Sequence, residues 1–296
     1  MPTTESLLHR RSIGAGRRRR RWVGRILLPV IVAMVAGAGY FGYTTFMTNL
    51  GEPSCRATAG DSSVTYSPEQ TANAATITAI ALKRGLPARA ATIAHATAIQ
   101  ESKLRNLKFG DRDSLGLFQQ RPSQGWGTEA QILNPIYATN KFYDALIKVD
   151  GYQSMEITKV AQAVQRSGFP LAYAEHEDEG RVLASTLSGH SPGGIGCRLD
   201  APTVSTPAAR LAERLTAELG VPAATIAGTS VRAKGRTAQE AWAAGSWAVA
   251  HAEGDGITSV TVGNRTWTRS RGERAWSWHA AKAPQATAPT LVTISL

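Results

Sequence analysis

The sequence predicts a mainly α protein with one N-terminal transmembrane helix, a helical ectodomain and a small α+β C-terminal domain. Three observations predict it. Residues 26–49 carry no charged side chain and follow an arginine-rich flank; alanine-rich segments with helical apolar spacing fill 67–190; after Thr206-Pro207 the pattern changes to two helices and a hairpin. At 296 residues and 43% hydrophobic content, the chain can bury a sizeable core.

Eight arginines and one glutamate precede residue 26, so the basic tail 1–25 carries +7 of the formal net charge of +11. The basic balance therefore describes a tail more than a surface. About 20 uncharged residues cross a hydrocarbon core of roughly 30 Å, so 26–49 predicts a membrane-spanning helix. The arginines place the N-terminus in the cytoplasm and everything after Gly51 outside, a single-pass protein of the cell membrane. The run is long for the apolar part of a cleaved signal peptide, which favours a retained anchor. Pro53-Ser54 before Cys55 is the wrong context for a lipoprotein. Beside an apolar span the arginine run reads as a topology signal, and no nucleic-acid partner is expected. The two cysteines, Cys55 and Cys197, bracket the helical ectodomain, and outside the membrane they can pair. The scattered histidines indicate no metal site, and no cofactor is expected.

Residues 50–66 are small and polar and read as a spacer to a domain spanning 67–197. Ser67-Pro68 caps a first helix with Ile77, Ile80 and Ala81 on its buried face, ended by Gly85. In the next helix, 87–102, Ile93, Ala94, Thr97, Ala98 and Glu101 share one face, apolar until the glutamate. There the helix dipole and partial desolvation both disfavour the ionised carboxylate, as a general acid near neutrality requires. The plainer alternative is a surface glutamate ending an amphipathic helix. Asn106–Gln120 reads as a small hairpin or irregular loop containing Asp111 and Asp113. These are either a second carboxylate for water activation or a solvated turn. Asn134-Pro135 caps a helix with the stripe Ala138, Phe142, Ala145, Leu146 and Val149, and Thr158 opens another through Gln165. Glu175, Glu177, Asp178 and Glu179 read as a solvated helix face. Residues 191–196 form a flexible exit, and 198–206 a linker.

Glu101-Ser102 followed by Gly116-Leu117-Phe118-Gln119, with Gln120 and Pro122 behind, resembles the two signature motifs of the soluble lytic transglycosylases in kind and interval. The resemblance covers about 68–190, continues at Leu133–Leu146, and is to the membrane-anchored type found in actinobacteria. It implies a lysozyme-like fold and cleavage of the β-1,4 bond between N-acetylmuramic acid and N-acetylglucosamine in peptidoglycan glycan strands. It also implies Glu101 as general acid and base, Gln119 holding the 2-acetamido group, Leu117 and Phe118 as the loop's apolar footing, and Ser102 orienting the acid or capping backbone. The chain departs from the family where relatives carry Ala-Tyr-Asn-Ala-Gly and it has Ala163-Val164-Gln165-Arg166-Ser167-Gly168. Gln162 or Gln165 is a candidate for the missing amide and Tyr173 for the missing phenol, although Tyr173 also suits an ordinary half-buried aromatic. Two other functions stay open: a lysozyme-type muramidase using Asp111 or Asp113, and a non-catalytic glycan-binding or scaffold module of a cell-envelope machine.

The C-terminal domain, 207–296, opens with a helix carrying Leu211, Ala212, Leu215 and Leu219 and ended by Gly220. Thr237 to Glu240 reads as a capping box for a second helix, and 257–270 as a hairpin turning at Gly263-Asn264. Five of the seven tryptophans lie here, Trp242, Trp247, Trp267, Trp276 and Trp278. They suit a thin core or a sugar-stacking surface, and the core reading is preferred.

Overall fold

The computed structural model describes residues 37, 39–40, 51–165, 172–226, 228–281 and 288–296. The basic tail and nearly all of the expected membrane span lie outside the described residues. Among the described residues, no helix is long and apolar enough to cross a membrane. Pro53–Leu296 forms one compact unit.

The unit begins with strands β1 (Ser54–Ala59) and β2 (Ser62–Tyr66), then helices α1 (Pro68–Lys83) and α2 (Ala88–Ser102). Helices α3 (Glu129–Ile132), α4 (Pro135–Leu146), α5 (Ile157–Gln165) and α6 (Glu177–Leu187) follow, then strand β3 (Ile195–Arg198). The remainder runs α7 (Ala208–Leu219), β4 (Ala223–Ile226), β5 (Ser230–Lys234), α8 (Ala238–Ala250), α9 (Ala252–Asp255), β6 (Ser259–Val262), β7 (Arg265–Thr268), β8 (His279–Ala280) and β9 (Leu291–Ser295). Helices hold the larger share of the fold and β structure the smaller, as expected. The strands form two antiparallel sheets, β2-β1-β3 and β4-β5-β9-β6-β7-β8.

The caps follow the sequence closely. Ser67 Oγ accepts from the Gln70 amide while Gln70 Oε1 accepts from the Ser67 amide, and Pro68 occupies the first turn of α1. Asn134 Oδ1 accepts from the Ile136 and Tyr137 amides at the start of α4. Ala138, Phe142 and Leu146 of the expected stripe are fully buried, and the Phe142 ring stacks 4.5 Å from that of Phe118. At α8 the expected capping box forms only by half. Thr237 Oγ1 accepts from the Glu240 amide, but the Glu240 carboxylate takes the Arg236 amide at 2.7 Å.

Helix α6 lies closely against α2. At Gly180 a Cβ atom would sit 2.7 Å from the Thr92 carbonyl oxygen, so only glycine permits this approach. Between α1 and α2, His95 is fully buried with Nε2 2.8 Å from Thr78 Oγ1, and burial pushes its pKa down to about 3.

Residues 54–66, read from the sequence as spacer, instead form the β1–β2 hairpin. Pairing with β3 gives its backbone partners, and alternation buries Cys55 and Ala57. Cys55 and Cys197 stand directly opposite across β1 and β3 and form a disulfide. The 198–206 stretch is also fastened: Leu199 is buried, its amide donates to the Ser270 carbonyl, and Thr206 Oγ1 donates to Asp255. The acidic cluster is only partly solvated, because Glu177 pairs with Arg89 at 2.8 Å and Glu179 accepts from the Tyr66 hydroxyl.

No break in packing follows the division near residue 200. Helix α8 packs on α1, Ser246 Oγ donates to the Thr186 carbonyl, and Trp278 Nε1 donates to the Ile195 carbonyl. Trp247, Trp267 and Trp278 are buried. Trp276 is half-buried beneath the Arg56 guanidinium, 3.8 Å from the ring centre. Trp247, Trp267 and Trp278 therefore fill a core, and Trp242 packs partly buried against it.

Because the disulfide joins residues 142 apart, its removal widens the unfolded ensemble. Replacing Cys55 and Cys197 together by serine is expected to lower unfolding free energy by about 2 to 5 kcal/mol. Urea titration followed by tryptophan fluorescence measures it, and a reductant should give the same loss in the unmutated protein.

Candidate active site

Glu101 lies in the last turn of α2, where the chain leaves the helix through Lys103 and Leu104, both left-handed (φ 52° and 59°). Non-glycine residues resist that conformation, and here the fully buried Leu104 side chain supports it. The turn sends the following loop back across the end of the helix.

The loop is irregular, closed by one bridge in which Leu115 and Gln120 exchange backbone hydrogen bonds. Gly116 turns at φ 76°, and a Cβ there would lie 2.8 Å from the Ile132 carbonyl oxygen. Leu117 and Phe118 are fully buried and seat the loop in the core. The Ser102 hydroxyl, itself buried, lies 2.7 Å from the Leu117 carbonyl and 3.1 Å from that of Ala98, tying loop to helix. Gln120 is buried, and its amide donates to the Ala138 carbonyl. These four residues build the site without lining it. Gln119 is partly exposed, at φ 47°, and its amide donates to the Gly116 carbonyl at 3.2 Å.

Two groups from distant elements reach Glu101. The hydroxyl of Tyr173, a fully buried ring on the short turn before α6, donates to Glu101 Oε1 at 2.6 Å. The Gln165 side chain, at the end of α5, also hydrogen-bonds the carboxylate, and its amide donates to the Phe118 carbonyl at 2.5 Å. Beside Glu101, Gln100 Oε1 meets His176 Nε2 at 3.0 Å.

Burial pushes the Glu101 pKa up, and the hydrogen bonds from Tyr173 and Gln165 pull against that shift without reversing it. The carboxyl group thus holds its proton to a higher pH than an ordinary glutamate, with two donors ready for the anion. Tyr173 and Gln165, two of the residues the sequence offered for a phenol and an amide, thus both reach Glu101.

The two loop aspartates differ. Asp113 accepts from Arg121 Nε at 2.7 Å and from the Ser123 amide at 2.8 Å, and Ser123, with Arg121, holds its carboxyl well below the usual carboxylate range. Asp111 has a side chain 93% exposed beside Arg112. Neither is hydrogen-bonded to the Glu101 cluster.

Sequence reasoning missed a groove of about 710 Å3 that starts at Gln165 and is lined by Trp126, Lys141, Asp144, Lys148 and Val164 among others. Trp126 stands between two glycines of a polar loop, where it is half-buried and packs on the core while also lining the groove. No protein-family model matches the chain, and no curated protein matches it.

A raised carboxyl pKa in the folded state favours the fold below the ordinary glutamate pKa, and that stability is lost as pH rises through the folded value. Glu101→Gln is therefore expected to melt higher than the parent at pH 7, with the difference closing below about pH 4. Calorimetry over that range checks it. A parent equally stable relative to the variant at both pH values would exclude the desolvated carboxyl group.

Proposed function

We propose that this chain is a membrane-tethered, extracytoplasmic lytic transglycosylase with a lysozyme-like catalytic part. It cleaves the bond between N-acetylmuramic acid and N-acetylglucosamine and leaves 1,6-anhydro ends. The observation that carries the reading is Glu101: a partly desolvated carboxyl group with raised pKa, hydrogen-bonded by Tyr173 and Gln165 beside a groove. The motifs Glu101-Ser102 and Gly116–Gln119 supply the substrate class, and the uncharged span 26–49 supplies the tether.

Glu101 protonates the glycosidic oxygen as the bond lengthens and positive charge grows on the muramoyl anomeric carbon. The substrate's acetamido oxygen attacks that carbon from the opposite face, so no second protein carboxylate is required. Gln119 is assigned to hold this group. Glu101, now an anion steadied by the Tyr173 hydroxyl, takes the proton of the sugar's 6-hydroxyl as that oxygen bonds to the anomeric carbon and displaces the acetamido oxygen, which regenerates the amide. The Arg121 pairing of Asp113 and the exposure of Asp111 favour this route over water activation by either aspartate.

Glu101→Gln is expected to lose at least about 100-fold in cleavage of purified sacculi, the range of a general acid, while still binding them. Tyr173→Phe removes a donor that favours the anion, so the alkaline limb of its rate profile should move to higher pH. Mass spectrometry of released muropeptides should find ends lighter by one water than hydrolytic ends. Hydrolytic ends would instead identify a muramidase, and an inactive parent that binds sacculi would identify a glycan-binding module.

A further inference from the structure

Gln165 belongs to two places at once. Its side chain hydrogen-bonds Glu101, and it also forms one end of the groove that continues past Val164 to Trp126, Lys141, Asp144 and Lys148. The aspartate is already neutralised, because Asp144 Oδ1 accepts from Arg84 Nη2 at 2.8 Å. The lysines are not. Among the described residues neither Lys141 nor Lys148 forms an ion pair, and Lys141 Nζ lies 5.6 Å from the Tyr137 ring centre. The groove beside the acid therefore presents a half-buried indole and two ammonium groups without counter-charge.

We propose that this groove extends the Glu101 site and selects glycan strands that carry negative charge. The Trp126 ring takes the apolar face of a pyranose, and Lys141 and Lys148 pair with anionic substituents of the same strand. The substrate class is thereby narrowed to charged glycan, in preference to uncharged polymers of N-acetylglucosamine. The inference rests on the reading of Glu101 as the acid of a glycan-cleaving site. Either peptide carboxylates or phosphodiesters of attached wall polymers supply the negative charge, and the ammonium groups meet both alike.

The test reads binding separately from cleavage. The full-length protein in detergent, its Lys141→Gln/Lys148→Gln variant and the charge-keeping Lys141→Arg/Lys148→Arg variant are co-sedimented with four insoluble glycans. These are intact sacculi, sacculi freed of phosphodiester polymers by hydrofluoric acid, sacculi freed of peptides by an amidase, and chitin. Two surface-pair energies lost together predict about fivefold weaker binding of intact sacculi by the glutamine variant, no change on chitin, and retention by the arginine variant. The stripping treatment that brings the parent down to the glutamine variant identifies the anion. Equal binding of intact sacculi by parent and glutamine variant would overturn the inference, and so would an equal loss on chitin. Trp126→Ala should weaken binding to all four glycans, and an unchanged affinity would remove the sugar platform. A parent that binds with this charge dependence but cuts nothing would sink the Glu101 reading alone.

Discussion

Competition between water removal and hydrogen bonding at one carboxyl group governs this structure. Burial of Glu101 disfavours its anion, while the Tyr173 hydroxyl and the Gln165 amide favour it. Burial prevails, yet the donors keep the anion within reach. In the proposed reaction this balance matters more than a high pKa by itself. A glutamate desolvated without donors would hold its proton too firmly to protonate a departing oxygen, and the anion left behind would have no partner.

The balance depends on packing some distance from the carboxyl group. Tyr173 belongs to the turn that leads into α6, and α6 reaches α2 closely because residue 180 has no side chain. Gln165 ends α5 and is held by the Phe118 carbonyl, whose own ring stacks on Phe142 of α4. Ser102 binds the same loop from below. The groups around Glu101 thus come from two helices, the turn before α6 and a loop, each placed by buried side chains.

Much of this was legible in the sequence because it is local. Ser67-Pro68, Asn134-Pro135 and Gly220 carry their capping chemistry within a few residues, and the 3.6-residue period placed α1, α2, α4 and α7. Glu101 could be singled out because its helical face is otherwise apolar. What stayed hidden is non-local. Residues 54–66 look like spacer until β3 supplies partners from 140 residues away, and no short-range pattern reveals that pairing. Tyr173 was ambiguous between core filler and hydrogen-bond donor, since a buried phenol does both and only its neighbour decides. The groove lined by Trp126, Lys141 and Lys148 was not legible either, because it is assembled from separate segments.

The seam between the helical part and the six-stranded sheet follows the same logic. Glu218 of α7, only 3% exposed, accepts from Thr76 Oγ1 of α1 and from Trp247 Nε1 of α8, and pairs with Arg214 at 3.2 Å. Arg214 also pairs with the buried Asp255 at 2.9 Å. Buried ion pairs of this kind add little net stability, since desolvation offsets most of the attraction, but a displaced partner leaves a charge stranded. An alternative seating of α7 and α8 on α1 would strand at least Glu218. The network therefore selects one orientation of sheet against helices more than it strengthens their union. Helix α1, which carries Thr76 on this side, also carries Thr78 against His95 of α2, so the sheet is continuous in packing with the helix that presents Glu101. A C-terminal part joined in this way is a fixed part of the same body, not a module free to swing on a tether.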